Sequence, residues 1–382
     1  MYEMRSARAL ADAADAGEAF TLIDTRPAES FENWHIASAH NIPFGLDDTL
    51  TESQRSEIDS LTDGREILTI CGKGATSAAF AAELDTAGYD DVAVVSGGMR
   101  DWNELYETAR LETDDDDLLL MQFQRRAKGC LSYLVGARSA GEAVVVDPSR
   151  HTDQYVRAAA ENDLEITHVL DTHIHADHIS GGHAFATALE VPYHLGEKAA
   201  DRGVEYEFVP LRDGDTLSIG TVDLEVVPAP GHTSELVACQ IGEEAVLTGD
   251  ALFLDAVGRT ELEFGDSDAR TGAKMQYETL HETLVALPEE LIVLPAHVSI
   301  TADGQYTHAE AGELVGAPLA TVQSQLDLVG LDESAFLERL VDSRPEKPAN
   351  YETITAINRG LEPIDSSRGA RKLETGANNC AG

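Results

Sequence analysis

Basic residues are scarce in this chain: 27 Lys and Arg stand against 69 Asp and Glu in 382 residues, a formal net charge of -42 at pH 7. Basic clusters and interleaved aromatic and basic residues are both lacking. That argues against nucleic acid and anionic membranes as partners, which are bound through cations on the protein. The charge is spread along the whole chain, and self-repulsion of this size strains a compact state unless concentrated cations screen it. The expectation is a protein of a high-salt cytoplasm; an acidic surface that recruits a basic partner is the rival reading. Cysteine is also rare. Cys71, Cys130, Cys239 and Cys380 have no framework spacing, which excludes a disulfide scaffold and suits a reducing compartment. Cys130 and Cys239 lie in apolar strand-like runs and are expected in the core, and Cys380 reads as an incidental exposed thiol. Long apolar runs are missing too. None approaches the roughly eighteen residues of a membrane span, and no signal-peptide pattern opens the chain, so a soluble cytoplasmic protein is expected.

What the chain does have is Thr172-His173-Ile174-His175-Ala176-Asp177-His178. Histidines two apart on an extended segment point the same way, so His173 and His175 can converge on one ion while Asp177 and His178 face a neighbouring position. The run Ile166 to Leu170 before them is apolar and β-branched, a buried strand that ends where the histidines begin. A surface histidine patch does not account for an internal cluster that follows a strand and includes an aspartate. Three more candidates follow apolar strand-like runs: His232 in Pro228-Ala229-Pro230-Gly231-His232-Thr233, Asp250 in Leu247-Thr248-Gly249-Asp250, and His297 in Leu294-Pro295-Ala296-His297. Gly231 and Gly249 permit tight turns that deliver these groups to one sheet edge. His35, His40, His168, His183, His194, His281 and His308 are not assigned as ligands.

In this order the motifs resemble those of metallo-β-lactamase-fold metalloproteins, over roughly residues 118 to 360, and above all the branch of persulfide dioxygenases and glyoxalase II-type thiolesterases. The resemblance implies an αβ/βα sandwich with metal at one edge. In the dioxygenase version His173, His232 and Asp250 hold one Fe(II), and a small thiol persulfide and O2 are the substrates and sulfite the product. Arg259, in Val257-Gly258-Arg259-Thr260-Glu261-Leu262, matches a segment whose arginine serves the substrate site; a salt bridge is the bland alternative. Ser299 stands two residues after His297, where the best-known persulfide dioxygenases carry tyrosine. In the hydrolytic version His173, His175, His232 and Asp250 hold one zinc, and Asp177, His178, His297 and a bridging Asp250 hold a second. Occupancy by one or two zinc ions therefore stays open, with His175, Asp177, His178 and His297 as a second ion site or as support behind the first.

The first part of the chain has its own signature. Glu66 to Ile70 reads as a strand, Cys71-Gly72-Lys73-Gly74-Ala75-Thr76-Ser77 as a loop, and Ala78 to Ala87 as a helix. Such a loop turns backbone N–H groups toward the sulfur and adds the positive end of a helix, which stabilises a thiolate or persulfide. With Leu22 to Pro27, His35 to Pro43 and Val94 to Trp102, it resembles rhodanese domains over residues 4 to 108. The resemblance implies an α/β domain with a parallel sheet flanked by helices. Cys71 would then carry sulfane sulfur, and Gly72, Lys73, Gly74, Ala75 and Thr76 would cradle the substrate. Thr76 stands where many active rhodanese loops have arginine. The length exceeds one core, and the expected division is a sulfur-carrier domain over 1–112, a solvated acidic linker at 112–117, a catalytic domain over 118–360 and a polar tail over 361–382. The attached sulfur-carrier-like domain favours the dioxygenase with sulfurtransferase capacity over the hydrolase. The thiol carrier and the direction of sulfur transfer stay open, as does a homo-oligomer.

Overall fold

The computed structural model describes residues 2–301, 304–342, 347–364 and 366–375; Cys380 lies outside the described residues. Five short strands form a parallel sheet in the order Glu3–Arg5, Val92–Val95, Glu66–Ile70, Phe20–Asp24, His40–Asn41. Its central strands are apolar at nearly every position because both faces are covered. Leu22, Leu68 and Val95 pack on one side with Leu10, Trp34 and Trp102. Their neighbours Ile23, Ile67 and Val94 pack on the other with Ile58, Phe80 and Leu84. This is the expected parallel sheet flanked by helices, with Trp34 and Trp102 as core side chains.

The rest of the chain forms two further sheets face to face. The seven-stranded one runs Val209–Leu211, Tyr193–Gly196, Glu165–Leu170, Glu142–Val146, Cys130–Ala137, Leu118–Arg125, Tyr106–Leu111. The six-stranded one runs Thr216–Ile219, Val222–Pro228, Val237–Ile241, Ala245–Gly249, Ile292–Pro295, Ala317–Pro318. Leu120, Val135 and Val146 of the first meet Leu224, Cys239 and Val246 of the second in one core. The alternate residues Leu119, Leu134 and Val145 turn outward against Tyr155 and Phe185 of covering helices. Ala273 and Phe336, from helices Glu261–Glu278 and Glu333–Asp342, join the main core. The layers are therefore helix, sheet, sheet, helix, the expected αβ/βα sandwich. Truncating a fully buried side chain such as Leu120 to alanine would cost about 2–5 kcal/mol. No helix among the described residues is long and apolar enough to cross a membrane.

Two expectations about chain organisation differ from what forms. Tyr106–Leu111 pairs antiparallel with Leu118–Arg125, so it belongs to the second unit, and the division between sheets falls after Trp102. The acidic run 112–117 is a hairpin loop rather than an interdomain tether: the Asp117 carboxylate accepts hydrogen bonds from Ser139 Oγ (2.9 Å) and Thr221 Oγ1, and Asp115 N donates to Glu244 (2.9 Å). A run of like charges signals solvation, and an exposed hairpin loop satisfies that as well as a linker does. Part of the expected tail also packs. Ser367–Leu373 is a helix with Ala370 buried, and Glu374 is 1% exposed.

Candidate metal centre and cysteine loop

The strand Glu165–Leu170 ends and the chain enters a loop whose backbone is tied down by buried acceptors and donors. Thr172 N donates to Asp147 Oδ1 (2.7 Å), Ile174 N to Glu235 Oε1 (2.8 Å) and Ile179 N to Glu374 Oε1 (3.0 Å). Asn358 Nδ2 donates to the carbonyls of His175 and His178, each at 2.8 Å, while Ser180 N donates to Asn358 Oδ1 (3.0 Å). Asp147 has φ 53°, a left-handed conformation that costs a non-glycine residue about 1–3 kcal/mol. Its carboxylate thereby reaches Thr172 and, at 3.2 Å, His175 Nε2.

His173 Nε2 lies 3.7 Å and His232 Nε2 3.5 Å from Asp250 Oδ2, and all three residues are buried. Gly249 (φ 55°) makes the turn that presents Asp250, and at Gly258 an added Cβ would meet Asp250 O at 2.1 Å. Each histidine is oriented through its other nitrogen: His232 Nδ1 faces Arg259 O (2.7 Å) and His173 Nδ1 faces Thr172 Oγ1 (2.9 Å). Donation from His232 Nδ1 to that carbonyl leaves the Nε2 lone pair directed at Asp250. Burial and the neighbouring His175 and His232 hold His173 well below the usual histidine range, so it stays neutral. Asp250 is ionised: burial opposes its charge, but His297 and His232 outweigh that. His173 Nε2 and Asp250 Oδ2 are buried without a hydrogen-bond partner, a costly state that a cation between them relieves. Two imidazoles and a carboxylate on one side fit Fe(II) or Zn(II) with positions left for other ligands.

His175 is not part of that trio. Its donor atom groups with Asp147 and Asp171, although its ring centroid is 4.2 Å from that of His173 and its Nδ1 is buried without a partner. Asp177, His178 and His297 gather into a second set, and Cys130, expected to be only a core thiol, completes it. Cys130 Sγ is 3.2 Å from Asp177 Oδ2, His297 Nε2 is 2.9 Å from the same oxygen, and His178 Nδ1 is 3.1 Å from Asp177 Oδ1. His297 Nδ1 lies 2.6 Å from Asp250 Oδ1 and so links the two sets. Cys239 is the inert core residue expected of it, its thiol pushed up to about 12 by burial. Arg259 makes the salt bridge that was the alternative reading, here buried. Its guanidinium is 1% exposed and forked onto Glu261, while its carbonyl is what touches the metal set.

In the first domain Cys71 follows the strand Glu66–Ile70, and Gly74 (φ 91°) turns the chain into the helix Ala75–Ala87. Gly74 N donates to Cys71 Sγ (3.1 Å), as does Ser77 Oγ (3.4 Å). Burial opposes ionisation, but hydrogen bonds from Ser77, Thr76 and the loop backbone prevail and bring the thiol down to about 7. Thr76 Oγ1 also lies 3.0 Å from Thr25 Oγ1. Lys73 is exposed, and Gly72 in the loop and Ala75 at the start of the helix bring no polar side-chain group. Ser77, which sequence reasoning left out of the site, is a direct donor to the sulfur.

Sequence profiles agree with this division. That of the Metallo-beta-lactamase superfamily matches residues 125–297, and that of the Rhodanese-like domain matches residues 6–105, ending just before the strand that joins the second unit. Human persulfide dioxygenase ETHE1, a mitochondrial protein, is 32% identical over 186 residues, 47% of this chain and 68% of the relative. A hydroxyacylglutathione hydrolase of Polaromonas sp. is 32% identical over 187 residues, 47% of this chain and 65% of the relative. The crystal structure of ETHE1 from Myxococcus xanthus superposes with a TM-score of 0.54 at 26% identity, covering 64% of this chain and 99% of that one.

Proposed function

Because the chain belongs to the metallo-β-lactamase superfamily and carries a rhodanese-like domain ahead of the metal domain, we propose that it is a non-haem iron persulfide dioxygenase with a sulfane-sulfur carrier built in. The observation that carries this reading is the buried trio His173, His232 and Asp250, whose facing atoms His173 Nε2 and Asp250 Oδ2 have no partner. One Fe(II) per chain, held there, would offer adjacent open positions to O2 and a sulfur substrate, and the sulfane sulfur itself would give up the electrons that reduce O2. The net change is balanced: a persulfide anion, one O2 and one water give a thiol, sulfite and a proton. The protein's own groups set the frame. Arg259 O fixes the His232 tautomer, Asn358 and Glu374 hold the histidine loop, and His297 orients Asp250. Cys71, with Gly74 N and Ser77 Oγ as donors, accepts or delivers the sulfane sulfur as a persulfide. Elemental analysis combined with persulfide-dependent O2 uptake tests the reading: about one iron per chain with uptake supports it, and purified iron-loaded protein without uptake sinks it.

The second reading is a thiolester hydrolase with two zinc ions, favoured by the identity to the Polaromonas hydrolase and by the gathering of Asp177, His178 and His297. It requires about two zincs per chain and thiolester cleavage. The sulfur-carrier-like domain is what weighs against it, because thiolester hydrolysis has no use for a persulfide.

A further inference from the structure

We propose that the segment 367–374 is a strap that sets the metal affinity of the histidine loop, with Glu374 as its positioning residue. The inference rests on His173, His232 and Asp250 holding an ion, and not on which ion or which reaction. Neither family profile reaches this segment. Residues 172–179 carry His173, His175, Asp177 and His178, and each end of that stretch is held by a buried carboxylate. Asp147 Oδ1 takes Thr172 N (2.7 Å) at the entrance, and Glu374 Oε1 takes Ile179 N (3.0 Å) at the exit, next to His178. The two clamps are themselves tied. Arg150, three residues after Asp147, places its Nε 3.0 Å from Glu374 Oε2, and Arg125 Nη2 lies 3.1 Å from the same oxygen. Glu374 is thus a buried anion with a backbone donor on one oxygen and two guanidiniums on the other, a paired and hydrogen-bonded charge that fixes direction as well as distance.

The helix Ser367–Leu373 seats this carboxylate. Ser366 Oγ accepts from Gly369 N (3.1 Å) to cap it, Ala370 packs with Ile179 and Ile354, and Asn350 Nδ2 donates to Leu373 O (3.0 Å). The strap therefore meets the loop twice at one residue, through the N–H of Ile179 and through its side chain. It is also anchored to the end of the first domain. Glu104 Oε1 lies 2.8 Å from Arg150 Nη2 and 2.7 Å from Arg371 Nε, while Arg125 Nε donates to Asn103 O (2.9 Å). Arg125, Arg150 and Arg371 converge here in a chain with only 27 basic residues, which a solvated tail does not require.

A strap that favours the metal-binding shape of the loop is in turn favoured by the metal, because coupling between two sites is reciprocal. The test uses the full chain, stripped of metal and titrated with Co2+, with hydrogen exchange read in both states. Metal loading should slow exchange in the segment 367–374 about tenfold or more and leave the helix Ala75–Ala87 as it was. Glu374→Gln keeps an acceptor for Ile179 N and takes the counter-charge from Arg125 and Arg150. Its Co2+ affinity should fall about 10–100-fold, with altered d–d bands, in protein whose circular dichroism matches wild type. Strap exchange that is the same with and without Co2+ overturns the proposal, and that measurement needs no variant to fold. So does wild-type affinity in folded Glu374→Gln. Wild-type protein that takes up no Co2+ sinks the metal reading and the strap with it, so the two failures are told apart.

Discussion

The sulfur of Cys71 takes its hydrogen bonds from Gly74 and Ser77, three and six residues along the same loop, whereas Asp250 meets His173, His232 and His297, each on a separate segment. The cysteine loop is a local device, a strand, a turn and a helix start. The metal centre exists only once two sheets have packed and distant residues have locked the histidine loop. Environment follows the same contrast: burial opposes the thiolate but local donors win, while at His173 burial dominates and keeps the ring neutral. A local site is robust to changes elsewhere, and a convergent one inherits every weakness of the fold.

The largest expected effect is at the convergent site. Asp250→Ala removes the one carboxylate shared by His173 and His232 and leaves His297 Nδ1 facing a void. Persulfide-dependent O2 uptake should fall to background, with iron content lost in elemental analysis. Full uptake in a metal-free Asp250→Ala protein would refute the assignment. Next comes Cys71→Ser, which should abolish sulfur transfer yet leave oxidation of directly supplied persulfide within about twofold of wild type, since sites that share no partners act independently. If transfer persists, another thiol carries the sulfur and the contrast between the two regions is misdrawn.

How much of this the sequence reveals follows from the same contrast. His173 to His178 and Cys71 to Ser77 are legible because their chemistry is contiguous and each follows an apolar strand. His232, Asp250 and His297 are legible because each ends a strand run beside a glycine or proline turn. Cys130 is not: it looks like any cysteine in an apolar strand, and only pairing with Asp177, 47 residues on, gives it a role. Asn358 and Glu374 reach the loop across 183 and 195 residues, from a helix and a segment that composition marks as unremarkable. Arg259 shows the limit of a motif, since a match says which residue is present and does not choose between a substrate fork and the pairing with Glu261.

Asn358 sharpens the comparison at intermediate size. Asn358→Ala strips the carbonyls of His175 and His178 and the N–H of Ser180 of their side-chain partner. Leaving buried polar groups unpaired costs about 1–3 kcal/mol each at most, and loss of a group that orients metal ligands lowers affinity about 10–100-fold. A metal titration alongside a thermal melt measures both, and the alkylation rate of Cys71 should not move. Unchanged metal affinity would show that the loop holds its shape without Asn358.

The smallest effect is read at Cys71 by varying pH. Burial raises its pKa, the hydrogen bonds from Ser77, Thr76 and the loop backbone together lower it by more, and the balance is a thiol at about 7, against about 8.5 for a free cysteine. The thiolate is the reactive form, so alkylation should rise about tenfold between pH 6 and 8 and level off above, with its midpoint near neutrality. The same balance means that stability from the bound anion is fully present above the unfolded value near about 8.5. It is lost as pH falls through about 7. Ser77→Ala removes one donor at 3.4 Å and should move the midpoint upward, while metal binding by His173, His232 and Asp250 stays as it was. An alkylation profile centred on the free-thiol value in the wild-type protein would mean that the loop does not stabilise the anion.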